Sequence, residues 1–196
     1  MLYILIGAAG FIVLFFFDLV ALKKIRFLKT VIWLVGNGLI FVPLNIMMFR
    51  SPRYVLPDAA RYTGIVISVI SSPLLAYSLL IEIPFKRTYL DKGTGDRLVT
   101  TGTYALVRHP GVLWLLLLLV GFFLSTGSKT LLLALPVWGG LDIVYIILQD
   151  KLFFVRQFGE GYLRYQQEVP MLIPTLKSIK LCLSTFFKKT PQGENK

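Results

Sequence analysis

The sequence predicts an all-α, polytopic membrane protein with about five transmembrane helices and a cytoplasmic, amphipathic C-terminal segment, on three observations. Of its 196 residues, 56% are hydrophobic and 16% charged, whereas soluble domains hold roughly 45–50% apolar residues. The apolar residues gather into runs with few or no charges, long enough to cross a hydrocarbon core of about 30 Å at 1.5 Å per residue. Basic clusters separate these runs, so the net charge of +11 belongs to loops and not to one basic face, and it points to membrane topology and away from nucleic acid. Residues 1–196 read as one integral membrane domain with the lipid bilayer as partner.

Leu2–Leu22 is the first span, with Asp18 its only charge. A cleaved signal peptide has its basic residues ahead of the apolar core, but here Lys23, Lys24, Arg26 and Lys29 follow it, so the segment is expected to stay. The second span, Thr30–Phe49, is uncharged; Pro43 is expected to kink it, and Asn37 and Asn45 to bond across helices. Tyr62–Phe85 is the third, interrupted by Ser71-Ser72-Pro73 and carrying Glu82 near its end. The polar loop 86–110 follows, with a turn over Asp91-Lys92-Gly93-Thr94-Gly95-Asp96. Spans four and five, Gly111–Gly127 and Thr130–Gln149, are joined so briefly that they must form an antiparallel hairpin. Asp142 sits inside the fifth. In the tail, 150–196, Met171–Lys189 mixes Leu172, Ile173, Leu176 and Ile179 with Lys177, Lys180, Lys188 and Lys189, which suits an interfacial helix on anionic lipid, and Pro191–Lys196 is expected to fray.

Charge sets the expected orientation. One side of five spans collects four Lys and Arg from the first loop, five from Lys86–Arg108 and eight from Lys151 onward, seventeen in all against four on the other side. Basic loops stay cytoplasmic, so the amino terminus is expected outside and the C-terminus in the cytoplasm; the small size suggests a bacterial plasma membrane. The single cysteine, Cys182, excludes an internal disulfide and a multi-cysteine metal site.

The polar stretch Arg97–Pro110 holds the only histidine, beside an arginine and at the mouth of an apolar helix, the best place in such a chain for polar chemistry. Pro110 suits the first position of the fourth span, whose free backbone N–H groups can receive a carboxylate. His109 can hydrogen-bond, and Tyr104 can offer a ring face or a hydroxyl.

In its spacing, the stretch Leu98-Val99, Gly102, Tyr104 and Arg108-His109-Pro110, followed by Phe158-Gly159, Tyr162, Tyr165 and Val169-Pro170, resembles the membrane-embedded isoprenylcysteine carboxyl methyltransferase family and its phospholipid methyltransferase relatives. The likeness covers about the last half of the chain. It implies S-adenosyl-L-methionine as cofactor, held by Leu98, Val99, Tyr104, His109, Pro110, Gly111, Val112 and Asp150, and a lipophilic small-molecule acceptor. Three positions depart from the family pattern. Val112 stands where a tyrosine is usual, the glutamate pair falls on Asp150 and Lys151, and the arginine that meets the acceptor carboxylate in prenylcysteine enzymes falls on Ile146. The last departure argues against a prenylcysteine carboxylate and leaves a neutral, amine-bearing or other lipid-like acceptor, with the membrane acids Glu82 and Asp142 as candidate contacts. Methyl transfer from a sulfonium needs positioning more than a nucleophilic side chain, and Arg108, His109 and Asp150 are the candidate catalytic groups. No metal is implied.

Two other readings compete with this one. Membrane-bound, nicotinamide-dependent reductases of the sterol reductase type share a similar terminal pattern. A non-catalytic membrane protein that keeps the fold would also explain Val112, Ile146 and Lys151.

Overall fold

The computed structural model describes residues 1–22, 25–83 and 98–186. Its helices are α1 (Leu2–Leu22), α2 (Arg26–Arg50), α3 (Asp58–Ala76), α4 (Thr103–Leu106), α5 (Pro110–Thr126), α6 (Lys129–Leu148), α7 (Val155–Phe158), α8 (Glu160–Glu168) and α9 (Leu176–Thr185). A π-helical turn, Tyr77–Glu82, prolongs α3, and another, Gln149–Phe154, joins α6 to α7 without a break. Among the described residues four helical stretches are long and apolar enough to cross a membrane, Leu2–Val20, Phe27–Arg50, Asp58–Glu82 and Lys129–Phe158, and α5 is a shorter apolar helix beside them. The chain is therefore an all-α, multi-pass membrane protein.

The boundaries differ from the sequence expectation for physical reasons. The third span starts at Asp58, directly after Pro57, which cannot sit inside a helix without losing a hydrogen bond, and an acid in the first turn suits the helix dipole. Ser71-Ser72-Pro73 does not interrupt it: the helix passes through Pro73 and only then widens into the π turn. In a membrane helix such a lost bond is made good by local rearrangement and neighbours. Asn37 and Asn45 bond back to the carbonyls of Trp33 and Phe41, both at 2.8 Å, so their amides serve their own helix. The tail does not form one helix from Met171. Residues 169–171 run beside the histidine corner, and α9 begins after Pro174 with a reciprocal cap between Thr175 and Ser178. The turn expected at Asp91–Asp96, together with Lys23, Lys24, Arg97, Lys188, Lys189 and the expected fraying at Pro191–Lys196, lies outside the described residues.

α1 packs along α2, α3 along α5, and α6 closes against both α1 and α5. The α3–α5 crossing is made by Gly64 and Gly121, where the two backbones approach too closely for a side chain. Trp138, fully buried in α6, donates from Nε1 to the Ile4 carbonyl at 2.9 Å and ties α6 to the start of α1. At one end of the bundle the α2–α3 and α5–α6 connections meet, with Tyr54 N–H donating to Gly127 O at 2.7 Å and Lys129 N–H to Pro52 O at 2.9 Å. Gly127 ends α5 in the left-handed region (φ 67°) and Ser128 caps α6, which makes the tight antiparallel hairpin the sequence requires. The hairpin returns the far ends of α5 and α6, with His109 and Asp150, to the opposite end.

Candidate active site

The site is built on the corner between α4 and α5. After Leu106 the chain turns extended at Val107, His109 takes the N-cap position and Pro110 opens α5. The backbone of the corner is pinned by the tail: Arg108 N–H donates to Pro170 O at 2.9 Å and His109 N–H to Met171 O at 3.2 Å. The Val169-Pro170 ending thus works as a clamp on the Arg-His pair.

The side chains converge on Asp150. Arg108 Nη2 donates to Oδ2 at 2.7 Å, while Nη1 donates to the carbonyls of Gln166 and Val169 at 3.2 and 2.9 Å. His109 Nε2 lies 2.7 Å from Asp150 Oδ1, and because a carboxylate only accepts, the imidazole proton on that side sits on Nε2. The Tyr162 hydroxyl donates to the same oxygen, and Gln166 Nε2 reaches Oδ2 at 3.4 Å. Burial, reinforced by the Asp150 charge, pushes the Tyr162 phenol far above its ordinary range, so it remains a donor through neutral pH. His109 also stacks on Phe154, ring centroids 5.9 Å apart. The π turn that begins at Gln149 rotates the register of α6 just where Asp150 must face this corner.

A second polar knot holds α4. Glu82 accepts from the Thr103 backbone N–H at 2.8 Å and from the Thr103 hydroxyl, and Ser78 Oγ lies 2.9 Å from Thr103 Oγ1. Gly102, at φ 62°, leaves the space that this carboxylate fills. The Tyr165 hydroxyl donates to Tyr104 O at 2.6 Å, so α8 braces α4 from the other side.

These elements enclose a cavity of about 330 Å³ that runs from the corner into the membrane-spanning region. All seven first-motif residues that the resemblance assigns to the cofactor line it, from Leu98 and Val99 through Tyr104 to His109, Pro110, Gly111 and Val112, and Arg108 stands among them. Asp142 and Ile146 line it deeper along α6. Asp150 and Glu82 do not: both are spent on the protein's own donors, Asp150 behind the corner and Glu82 under α4.

Sequence reasoning missed a polar group on the cavity wall. Asp18 of α1 accepts from Tyr145 OH at 2.7 Å and Gln149 Nε2 at 2.8 Å, and all three residues line the cavity. The signal was the spacing of Tyr145 and Gln149, one helical turn apart in an otherwise apolar run, opposite the one acid of the first span.

No protein-family model matches the chain. Among curated proteins it is similar to the protein-S-isoprenylcysteine O-methyltransferases of Rattus norvegicus, 29% identical over 103 residues, and of Schizosaccharomyces pombe, 33% identical over 81. The human protein of that name is 28% identical over 103 residues. These matches take in 40–47% of this chain and 33–34% of each relative, so the chain spans about a third of the length of the proteins it matches. Over that shared stretch the chain is similar to five curated proteins, all named protein-S-isoprenylcysteine O-methyltransferase.

Proposed function

We propose that the protein is a membrane-embedded methyltransferase that uses S-adenosyl-L-methionine to methylate a lipophilic small-molecule acceptor. The observation that carries this reading is the continuity of one cavity from the Arg108-His109 corner to Asp142 and Ile146 on α6. A polar mouth suits the cofactor and an apolar interior suits a lipid-like acceptor. The residues present fit the group. The volume, about 330 Å³, falls at the lower end of the roughly 300–1,000 Å³ of ligand clefts. The first turn of α5 presents backbone N–H groups at Gly111 and Val112 for a carboxylate, and Tyr104 and Phe154 supply aromatic faces.

S-adenosylmethionine, when bound, supplies a methyl group that is already activated. The work left to the chain is binding, orientation and the exclusion of water. Asp150 acts as a positioning residue: by accepting from Arg108, His109 and Tyr162 it fixes the corner on which the cofactor would rest. Ile146, where prenylcysteine enzymes carry an arginine, leaves the deeper wall without a cation at that position and supports an acceptor other than a prenylcysteine carboxylate. The named relatives act, by their names, on protein-S-isoprenylcysteine, and that substrate is not carried over.

Calorimetric titration of the detergent-purified chain with S-adenosylmethionine and with a reduced nicotinamide dinucleotide tests the proposal. Binding of S-adenosylmethionine is expected. Binding of the dinucleotide alone would hand the cavity to a reductase, and binding of neither would leave a scaffold without this activity.

A further inference from the structure

We infer that the Asp142 carboxylate receives the ammonium head of an amine-bearing amphiphile and takes its proton, which frees the nitrogen lone pair and makes the acceptor an amine. The inference rests on reading the cavity as a methyl-transfer site. Asp142 is 5% exposed, lines the cavity from the middle of α6, and its Oδ2 is buried with no hydrogen-bond partner among the described residues. A carboxylate in the membrane interior is costly unless a cation or strong donor meets it. The other acid that lines the cavity, and the one behind the corner, have such company. Asp18 accepts from Tyr145 and Gln149, and Asp150 accepts from Arg108, His109 and Tyr162. Asp142 alone of the three lines the cavity with a carboxylate oxygen left without a hydrogen-bond partner among the described residues, so we assign that partner to a ligand.

The charge of that ligand follows from the layout. Among the described residues Arg108 is the one Lys or Arg that lines the cavity, and both its terminal nitrogens are spent on Asp150, Gln166 and Val169. Asp142 stands two turns along α6 from Asp150, about 12 Å at 1.5 Å per residue, so it lies apart from the Arg108–Asp150 pair. Most of the residues that line the cavity with Asp142 are apolar, Ile40, Phe41, Leu75 and Leu115 among them. An anionic head placed there would face a buried carboxylate, an alcohol would give it a donor but no charge, and an ammonium gives both.

The test uses the full chain in a non-ionic detergent, titrated with dodecylammonium, dodecanol and dodecanoate. The ammonium is expected to bind at least about tenfold tighter than the alcohol, with the carboxylate weakest. Asp142→Asn should bring ammonium and alcohol to equal affinity, while Asp58→Asn, at an exposed surface pair, should leave the preference intact. Equal binding of ammonium and alcohol by the unaltered chain, which needs no variant, would overturn the inference, as would a preference that survives Asp142→Asn. S-adenosylmethionine is titrated in parallel: a loss in Asp142→Asn as large as that for the ammonium would assign the carboxylate to the cofactor and also overturn it. Failure of the unaltered chain to bind S-adenosylmethionine is the separate result that defeats the methyl-transfer reading, whatever the amphiphiles do.

Discussion

At the scale of single residues, the site turns on one carboxylate that serves three side chains. Arg108 and Asp150 are 11% and 7% exposed, so removing the acid leaves a guanidinium largely cut off from water with no counter-charge. Breaking such a buried pair costs on the order of 3–5 kcal/mol, against about 1–3 for one hydrogen bond to a charged group. Asp150→Asn is therefore expected to lower thermal stability in detergent and to weaken S-adenosylmethionine binding together. His109→Ala should weaken binding by about 1–3 kcal/mol with a smaller effect on folding. The double variant should lose less than the sum, because each acts through the same network. Lys151→Ala should change neither quantity, since its side chain is exposed and takes no part in that network. Wild-type affinity in a folded His109→Ala chain would remove His109 from the site.

At the scale of elements, the helices were legible because bilayer-length apolar runs leave little choice of structure, and the hairpin because Gly127-Ser128 leaves no room for any other connection. That Leu98 to Val112 share one cavity wall was legible for a similar reason: they are close in sequence and one corner folds them together. What could not be read was the inward register of α6. The sequence places Asp150 at the end of a helix, but its turn away from the cavity and toward Arg108 depends on the π turn after Leu148, which has no signature in an apolar run. Asp18 was hidden because its partners lie more than a hundred residues away, on a helix whose polar positions mean nothing until α1 is laid against it.

The same scale carries a packing prediction. A Cβ built on Gly64 would lie 2.5 Å from the Ser125 nitrogen and 2.7 Å from the Gly121 carbonyl, both backbone atoms that cannot move aside alone. Gly64→Ala is expected to part α3 from α5 and cost about 1–3 kcal/mol, read as a fall in the unfolding temperature in detergent. Gly140, on α6, has nothing within 4 Å of such a Cβ, so Gly140→Ala should be neutral or slightly stabilising by helix propensity. Equal tolerance at both positions would mean that the α3–α5 crossing is looser than this packing.

At the scale of the whole molecule, the open quantity is which end of the bundle faces the cytoplasm. Arg108, Lys151, Arg156 and the basic residues of α8 and α9 gather at the end that carries the corner, while Arg53 and Lys129 sit at the other, beside the Tyr54–Gly127 contact. The excess of Lys and Arg favours a cytoplasmic corner, which would open the cavity mouth to the compartment that supplies a soluble cofactor. Single-cysteine labelling decides the point with little background. Cys182 is the only native thiol, it is 8% exposed, and burial together with the Glu82 charge pushes its pKa up, so little reactive thiolate is present at neutral pH. Val55→Cys, at a fully exposed position between α2 and α3, is expected to react in intact cells with a maleimide that cannot cross the membrane. Arg156→Cys, exposed on α7 near the corner, should react only after the membrane is opened. The reverse pattern would turn the molecule over, and the cavity mouth would then have to draw its cofactor from outside.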